Sequence, residues 1–350
     1  MYRVGIVGLG EIAAARPDKA EGPLHKPMPG SHAASFAALP QTEVVGICEL
    51  KPELMDQFVA QWGDTWPKVR RYSDFREMLA KERLDILTVA TSDHRHADIV
   101  VAASEAGVRG IFCEKPLATS LSDADRMIAA VKAHGTNLLV DHTRRWYPLY
   151  NEIRRLVRGG AIGRLSRIVV TLGGPRSMIF RNGTHLIDLI CFLAESDPAW
   201  VFAELDDECR DYGPVYAGDG GTDPATDPGV SGYIHFRNGV RAFYNGSKGT
   251  PPDFWVDLFG EIGRISVNDA GGTVWRVVEG QGLMSRPIRT PEHRNVTQLA
   301  GIEELIRLVE NGGEPSSSGR DGRRVLEIML AMLASHHRGN VRVDLPLSNA

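Results

Sequence analysis

The feature that most constrains the fold of this chain is an alternation of short apolar runs and helical patterns across residues 2–141. The apolar runs are too short for helices and predict strands at Val4–Val7, Val44–Cys48, Asp85–Ala90, Ile111–Glu114 and Leu138–Val140. A helical period in the intervening segments predicts helices at His32–Leu39, Pro52–Trp62, Phe75–Glu82, Ala97–Ala106 and Ala124–His134. Such alternation predicts parallel strands covered by helices on both faces. We therefore expect residues 1–142 to form a doubly wound α/β domain.

After residue 142 the pattern changes. Helices are predicted at Leu149–Val157, Thr184–Leu193, Val296–Glu310 and Arg323–His336. Strands are predicted at Leu165–Leu172, Val201–Leu205, Val230–Phe236, Val240–Tyr244, Phe254–Phe259, Arg264–Val267 and Val274–Val278, with a last extended piece at Val341–Leu347. Strands that follow one another without helices predict a mixed or antiparallel sheet. We expect residues 143–350 to form an α+β domain with a large open sheet.

Composition narrows the class of protein. A chain of 350 residues is long enough for two domains, and its net charge of −4 argues against nucleic acid or an anionic membrane as main partner. No apolar run reaches the ~18 residues of a membrane span, and the start does not resemble a signal peptide. Cys48, Cys113, Cys191 and Cys209 lack metal-type spacing, which favours buried free thiols. We expect a soluble, cytoplasmic protein.

A glycine-rich turn follows the first predicted strand. The segment Gly8-Leu-Gly10-Glu-Ile-Ala13 fits the dinucleotide fingerprint, in which the first glycine permits a tight turn and the second lets the backbone approach a pyrophosphate. The small third residue, Ala13, lets helix and strand pack closely. A helix should follow this turn at once, but here we expect it to be delayed by a proline-rich loop until Ser31, a plausible N-cap.

The fingerprint also requires an acidic residue at the end of the second strand, where it binds the ribose hydroxyls. Glu49 lies there, and its distance from Gly8 becomes normal once Ala14–Ser31 is treated as an insertion. Glu49 favours NAD over NADP, although the neighbouring Lys51 leaves NADP possible. Because the insertion leaves directly from the glycine turn, we expect it to act as a lid over the cofactor.

Further motifs lie at the ends of predicted elements. They are Ala90-Thr-Ser-Asp-His-Arg-His96, Glu114-Lys-Pro116, Arg145-Trp-Tyr-Pro148, Gly183-Thr-His185-Leu-Ile-Asp188 and Ser318-Gly-Arg-Asp-Gly322. Together with the glycine turn, this set closely resembles the Gfo/Idh/MocA family, which includes glucose–fructose oxidoreductase and inositol dehydrogenase. The resemblance runs nearly from end to end of the chain.

The resemblance implies an NAD(P)-dependent dehydrogenase or reductase that acts on the CH–OH group of a sugar, inositol, uronate or related polyol. It implies a ligand site at the carboxyl ends of the Rossmann strands, and a homodimer or homotetramer formed through the C-terminal sheet. The residues it assigns to the cofactor are Gly8, Gly10, Glu11, Ile12, Glu49, Thr91, Ser92, His94, His96, Glu114 and Lys115.

The resemblance assigns catalysis to Lys115 and His185. In the family the lysine touches the reacting hydroxyl and the histidine is usually the base. Lys115 beside a cationic nicotinamide should have a lowered pKa, and the pKa of an ordinary histidine is already near neutral. We expect a cis peptide bond before Pro116, because a fixed turn would hold Lys115 in place.

Arg145, Arg181 and Asp188 are the candidate substrate-binding residues. Arg181 stands where polyol-oxidising relatives often carry an aspartate, and an arginine there should lower the pKa of His185. Residues 144–181 contain nine arginines and one acid, Glu152. A buried guanidinium requires an anion, so Arg181 is expected either to pair with Asp188 or to bind an acidic substrate such as a uronate or sugar phosphate.

No metal is predicted. His94 and His96 lack a third ligand, and the acidic loop with Asp219, Asp223 and Asp227 is interpreted as a solvated surface loop. Two alternative functions remain open. One is a glycoside hydrolase or lyase that oxidises its substrate transiently with tightly bound NAD, and the other is a non-catalytic regulator that responds to NAD(P).

Overall fold

The computed structural model describes residues 1–16, 29–216, 218, 224–292 and 295–347. The chain divides into two compact units, and the first contains Met1–Thr143, Gly218 and Asn295–Arg323. The second contains the remaining described residues. The domain boundary after residue 142 stays a prediction, because a compact unit is not by itself an independently folding domain.

The first unit is built on a six-stranded sheet with the order β3-β2-β1-β4-β5-β6. All pairs in it are parallel. Its strands are β1 (Tyr2–Val7), β2 (Thr42–Cys48), β3 (Arg70–Tyr72), β4 (Ile86–Val89), β5 (Gly110–Cys113) and β6 (Asn137–Val140). Its helices are α1 (Glu11–Ala14), α2 (His32–Ala37), α3 (Pro52–Trp62), α4 (Phe75–Glu82), α5 (His96–Glu105) and α6 (Leu121–His134). The predicted doubly wound Rossmann topology is confirmed.

The helix after the glycine turn begins earlier than the sequence predicted. α1 follows Gly10 directly but lasts a single turn, and the helical path resumes at α2. Ser31 caps α2 as predicted, since its hydroxyl accepts the Ala34 N–H. The expected delay was therefore wrong, because a single helical turn follows Gly10 at once and a second helix begins at His32.

A late segment of the chain completes the first unit. Helix α9 (Thr297–Asn311) packs against β5, where a Cβ on Gly110 would lie 2.8 Å from Val309 and 3.1 Å from Leu305. Glycine at this position lets the helix approach the strand closely. Ser317 then pairs with the edge of β6, because its carbonyl accepts the Val140 N–H at 2.9 Å. This contact covers an edge that would otherwise offer unpaired backbone groups.

The second unit is built on a nine-stranded sheet with the order β14-β13-β12-β11-β7-β10-β9-β8-β15. The pairing of β7 with β10 is parallel, and the other pairings are antiparallel. The strands are β7 (Leu165–Gly173), β8 (Pro198–Leu205), β9 (Val230–Phe236), β10 (Arg241–Ser247), β11 (Asp253–Gly260), β12 (Gly263–Asn268), β13 (Gly271–Val278), β14 (Gly282–Pro287) and β15 (Val343–Asp344). The predicted open mixed sheet is confirmed.

Three helices accompany this sheet: α7 (Pro148–Arg158), α8 (Thr184–Ala194) and α10 (Gly319–His337). Alternate side chains of the strands are buried on one face, as in β10, where Ala242 and Tyr244 are buried while Phe243 is 42% exposed. The buried face packs on α10, since the Ala203 N–H donates to the Ser335 hydroxyl at 2.9 Å. The opposite face carries half-exposed aromatic side chains.

No helix in the described part of the chain is long and apolar enough to cross a membrane. The four cysteines are buried free thiols, as expected.

Candidate functional site

The glycine turn has the geometry that the fingerprint requires. Gly8 adopts φ +86°, and a Cβ there would lie 2.4 Å from the Ala90 carbonyl oxygen, so no other residue fits. At Gly10 a Cβ would meet no described atom within 4 Å, so the backbone faces open space. Glu11 and Ile12 follow in the first turn of α1 and are exposed. The turn therefore leaves room for a group to approach the backbone at Gly10.

Glu49 lies beside this turn at the carboxyl end of β2. Its carboxylate accepts the Leu9 N–H at 3.0 Å, and its other oxygen accepts the N–H groups of Leu50 and Lys51 at 2.7 and 3.1 Å. The side chain is thus fixed between the glycine turn and the start of α3. This is the position from which a carboxylate can bind the ribose hydroxyls of a dinucleotide.

The loop after β4 borders the same edge of the sheet. Thr91 and Ser92 are half-buried, whereas His94 is exposed and its Nδ1 lies 2.8 Å from the Gly218 carbonyl oxygen. His96 is fully buried, with its ring nitrogens 3.1 Å from the Pro116 carbonyl and 3.2 Å from the Thr91 carbonyl. The His96 ring therefore links this loop to the Glu-Lys-Pro turn, and its contact with the cofactor stays a prediction.

Lys115 follows β5 and is half-buried. Its backbone N–H donates to Glu114 Oε2 at 3.2 Å, and the Lys115–Pro116 peptide bond is cis as predicted. Glu114 is only 7% exposed, so its carboxylate points into the protein. Glu114 was predicted to bind the cofactor, which stays a prediction, and its observed partners belong to the protein.

A buried cluster that the sequence did not predict surrounds Glu114. His32 Nε2 lies 3.1 Å from Glu114 Oε1 and 3.6 Å from Asp141 Oδ2, and all three side chains are buried. Each offers a ligand atom within 4.8 Å of the others, so a metal ion could also fit here. The available signals were a histidine directly after the N-cap Ser31 and an aspartate directly after β6.

The charges in this cluster perturb one another. Burial disfavours a charged imidazole, but the two carboxylates outweigh it and raise the pKa of His32 from 6.5 to about 9. Burial and the Glu114 charge raise the pKa of Asp141, whereas the pKa of Glu114 is lowered because His32 and Lys115 outweigh its burial. The shift at His32 is worth roughly 3 kcal/mol. The dipole of the short helix α2 opposes it by at most about 1 kcal/mol, so the carboxylates prevail.

These residues fit a nicotinamide dinucleotide. The open space at Gly10 suits a pyrophosphate, and Glu49 is placed to accept hydrogen bonds from a ribose. Gly8, Glu49, Ser92 and Lys115 all lie at the carboxyl edge of one parallel sheet, the edge at which doubly wound proteins bind ligands.

The predicted substrate residues lie in the second unit. Arg145 Nε lies 3.0 and 2.9 Å from the two carboxylate oxygens of Asp188, and its Nη2 lies 2.8 Å from Oδ1. Arg145 is 7% exposed and Asp188 is fully buried. A bidentate pair of this kind has strong, directional hydrogen bonds. It fixes α8, which carries Asp188, against the turn that carries Arg145.

His185 and Arg181 precede Asp188 along the chain. His185 is half-buried in the first turn of α8, and the segment before it forms a π-helical turn over Ile179–Gly183, a geometry often found at functional sites. Arg181 is 9% exposed, and its Nη2 donates to the Tyr216 hydroxyl at 3.0 Å. The Tyr216 ring stacks on Phe180, so the arginine is held by an aromatic contact from the acidic loop.

The arginine-rich segment is largely neutralised within the second unit. Arg154 and Arg158 pair with Glu195, and Arg164 pairs with Glu261. Two further pairs are Arg144 with Asp269 at 2.8 Å and Arg155 with Glu152 at 2.6 Å. The excess of positive charge over residues 144–181 arises mostly because the acidic partners of these arginines lie later in the chain.

Two loop predictions fall on residues outside the described ranges. One is the proposed lid, which lies largely in residues 17–28, and the other concerns Asp219 and Asp223 of the acidic loop. Asp227 is buried and accepts the Phe180 N–H at 3.2 Å. It therefore supports the turn before α8, and the interpretation of the acidic loop as solvated was wrong at this residue.

Comparison with protein-family models decides the relationship. Residues 2–142 match the model of an oxidoreductase family with an NAD-binding Rossmann fold, and residues 150–266 match the GFO/IDH/MocA C-terminal domain. The chain belongs to the Gfo/Idh/MocA family. It is an oxidoreductase, and its first unit carries the NAD-binding Rossmann domain of that family. The prediction of a non-catalytic regulator is set aside.

Relatives within the family act on small polyols and sugars. The chain is 25% identical over 346 residues to a D-apiose dehydrogenase of Paraburkholderia graminis, covering 88% of this chain and 85% of that protein. It is 24% identical over 345 residues to a myo-inositol 2-dehydrogenase of Thermotoga maritima, covering 93% of each. The WlbA dehydrogenase of Bordetella pertussis, crystallised with NADH and UDP-GlcNAcA, shares the fold with a TM-score of 0.74 at 21% identity, covering 99% of both chains.

Proposed function

We propose that this oxidoreductase is an NAD-dependent dehydrogenase or reductase that acts on a secondary hydroxyl of a sugar, inositol, uronate or related polyol. The observation that carries the proposal is Lys115, which is half-buried at the carboxyl edge of the Rossmann sheet and fixed through its own backbone by Glu114. Relatives named for apiose and myo-inositol support a polyhydroxylated substrate. Glu49 favours NAD, and NADP remains the alternative cofactor.

When bound, the nicotinamide exchanges a hydride with the reacting carbon. The ammonium group of Lys115 would donate a hydrogen bond to the oxygen on that carbon and hold it in place. His185, as a neutral imidazole, would take the hydroxyl proton during oxidation and return it during reduction. Both residues are of the types that transfer protons near neutral pH when placed against a hydroxyl.

The three candidate substrate residues divide into two roles. Arg145 and Asp188 bind each other bidentately in the interior, so we assign them to holding α8, and hence His185, in place. Arg181 carries the remaining substrate role. It is held by a hydrogen bond to the Tyr216 hydroxyl, and a guanidinium at this position can bind a carboxylate or phosphate on the substrate bidentately.

The outer face of the second sheet suits assembly of the protein into a homodimer or homotetramer. Tyr233 stacks with Trp200 and Phe202 at centroid distances of 4.9 and 5.6 Å, and Phe243 meets it edge-on at 5.2 Å. Phe202, Phe243 and Trp255 are each at least 40% exposed. An apolar patch of this kind favours burial against a second copy. Light scattering should show an oligomer for the wild type and a smaller species for Phe243→Lys.

The test of the reaction is absorbance at 340 nm with NAD or NADP and a panel of pentoses, inositols, uronates and aldonates. Net NADH formation with a member of the panel is expected. Release of an aglycone from a glycoside without net NADH would support the hydrolase alternative. Failure of NADH to bind, measured by its fluorescence, would contradict the cofactor site itself.

The Arg181 role has a separate test. Arg181→Ala should raise the Michaelis constant for an acidic sugar by at least about tenfold while sparing its neutral analogue, since one charged contact is lost. Arg176→Ala, at an exposed arginine in the same segment, is the matched control and should change neither constant. Equal loss on both substrates would show that Arg181 supports His185 and does not contact the substrate.

A further inference from the structure

His32, Glu114 and Asp141 are buried titratable side chains that the proposed reaction does not use directly. They come from the start of α2, the end of β5 and the end of β6, and they meet at the base of the Glu-Lys-Pro turn. Such a group must balance its charges internally, because water does not reach it. The hydrogen-bond geometry indicates how it does so.

Each ring nitrogen of His32 lies beside an oxygen atom. The Thr88 hydroxyl lies within hydrogen-bond distance of His32 Nδ1 and of the Phe112 carbonyl, which is 3.2 Å away; when it donates its one hydrogen to the carbonyl, it accepts from Nδ1. His32 Nε2 faces two carboxylate oxygens, of Glu114 at 3.1 Å and of Asp141 at 3.6 Å, and both are acceptors. A nitrogen that faces only acceptors must donate, so Nε2 carries a proton, and His32 is an imidazolium when Nδ1 also donates to Thr88. The raised pKa of His32 favours this charged form.

One imidazolium cannot neutralise two carboxylates. Asp141 is 1% exposed, and its Oδ1 is buried without a hydrogen-bond partner in the described part of the chain. Gln298 donates to its other oxygen, Oδ2, at 3.2 Å. The carboxylate oxygens of Glu114 and Asp141 lie within 4.8 Å of each other, and a second proton, carried by Asp141, removes the repulsion between these two buried charges.

We propose that His32, Glu114 and Asp141 form a proton-sharing cluster that positions Lys115. Glu114 stays ionised, with one oxygen on the imidazolium and the other on the Lys115 N–H at 3.2 Å. His32 and Asp141 are positioning residues, since they act on Lys115 only through Glu114. The inference rests on the function proposed for Lys115.

The surroundings of the cluster contain few other charges. Lys115 itself contributes a positive charge, which favours ionised Glu114. Cys113 on β5 is a buried thiol whose pKa is raised, so it stays neutral, and Asp93 lies near enough to contribute to that shift. From α9 the cluster receives the neutral amide of Gln298. Because His32 and Lys115 both favour the ionised form of Glu114, the additional proton is assigned to Asp141.

The direct test is NMR of the full-length protein labelled with ¹⁵N-histidine. The His32 signal, identified by its loss in His32→Gln, should show both ring nitrogens protonated at pH 7 and up to about pH 9. His134→Gln, which alters an exposed histidine on α6, is the matched control and should leave that signal unchanged. A His32 ring that is neutral at pH 7 would overturn the cluster.

A metal ion would overturn it as well. Metal analysis of the purified protein should find no stoichiometric divalent ion, and added Zn²⁺ should not displace the proton from His32 Nε2.

The backbone amide signal of Lys115 reports the position of this residue. It should shift in Asp141→Ala and return towards its wild-type position in Asp141→Asn, whose amide can donate as the protonated acid does.

Activity separates this inference from the function on which it rests. His32→Gln should lower kcat by about tenfold or more, while the dissociation constant for NADH changes less than about threefold. Asp141→Asn should recover most of the kcat lost in Asp141→Ala. Full activity in Lys115→Ala would refute the role of Lys115, whereas unchanged kcat in His32→Gln beside an inactive Lys115→Ala would refute only the positioning cluster.

Discussion

In the first unit His32 faces two carboxylates, of Glu114 and Asp141, whereas in the second unit Arg145 binds the carboxylate of Asp188 bidentately. Both arrangements are buried, but they differ in what happens when the pH changes. Arginine does not lose its proton in the physiological range, so the pair in the second unit is fixed. The cluster in the first unit contains groups whose pKa values lie near the working range of an enzyme.

The difference shows how one chain can use buried charge for two purposes. An arginine–carboxylate pair with bidentate geometry holds a helix in place. A cluster with an unequal number of acids and bases instead holds a mobile proton next to a reactive side chain. The experiments below separate these purposes, beginning with the largest expected effect.

Removing the carboxylate of Asp188 should destabilise the second unit most. Asp188→Ala removes the bidentate carboxylate from the buried guanidinium of Arg145, which costs about 3–5 kcal/mol. Urea unfolding followed by hydrogen exchange in α8 would measure the loss. Glu195→Ala is the matched control, because Glu195 pairs with half-exposed arginines and should cost at most about 1 kcal/mol. Equal losses in the two variants would show that burial does not distinguish these pairs.

Replacing Lys115 should affect turnover much more than stability. Lys115→Ala is expected to lower turnover by at least about 100-fold, the scale of a lost hydrogen-bond donor to the reacting oxygen, with little change in stability. NADH affinity should stay within about threefold of wild type, as judged by fluorescence titration. A variant that loses stability but retains turnover would place Lys115 among the structural charges.

The contribution of His32 to the stability of the first unit should depend on pH, whereas the contribution of the Arg145–Asp188 pair to the second unit should not. The pKa of His32 is raised in the folded state to about 9, so its contribution is complete below pH 6.5 and is lost as the pH rises through 9. Asp141, whose pKa is also raised, loses its contribution in the same direction. The stability difference between wild type and His32→Gln should therefore shrink by up to roughly 3 kcal/mol over this window.

Hydrogen exchange of first-unit amides at several pH values would measure this change. The difference between wild type and Asp188→Ala, followed in the second unit, should stay constant over the same range. A difference for His32→Gln that does not vary with pH would contradict the imidazolium.

The smallest effect is expected at Glu49. Glu49→Ser removes the carboxylate that would repel a 2′-phosphate, so the ratio of NADP to NAD affinity should rise by about tenfold. Affinities for NADH and NADPH, measured by fluorescence, give the ratio directly. A wild-type enzyme that already prefers NADPH would contradict the assigned role of Glu49.

The sequence predicted most of the strands because their apolar runs are buried. It missed β3 and β14 because these strands are mostly exposed. Arg70 and Arg71 occupy two of the three positions of β3 and are exposed, and all six residues of β14 are exposed. Strands with little or no buried surface lack an alternation of apolar and polar residues, since pairing with neighbouring strands holds them in the sheet.

The site was predicted where its residues lie within motifs and missed where they meet through the fold. Gly8, Glu49 and Lys115 could be found from spacing along the chain. The partners of His32 come from the ends of β5 and β6, far along the sequence, so no local pattern links them. The same limit affected the arginine-rich segment, where an acid such as Glu195 lies outside the counted residues.

The first unit is completed by α9, which packs on β5 only after the chain has been synthesised through β14. During synthesis, the surface of β5 at Gly110 therefore stays uncovered until most of the second sheet has left the ribosome. Contacts so distant along the chain slow folding and prolong the exposure of apolar surface. A fragment that stops at residue 143 would lack this cover permanently, and chaperones would be expected to bind the nascent chain at that surface.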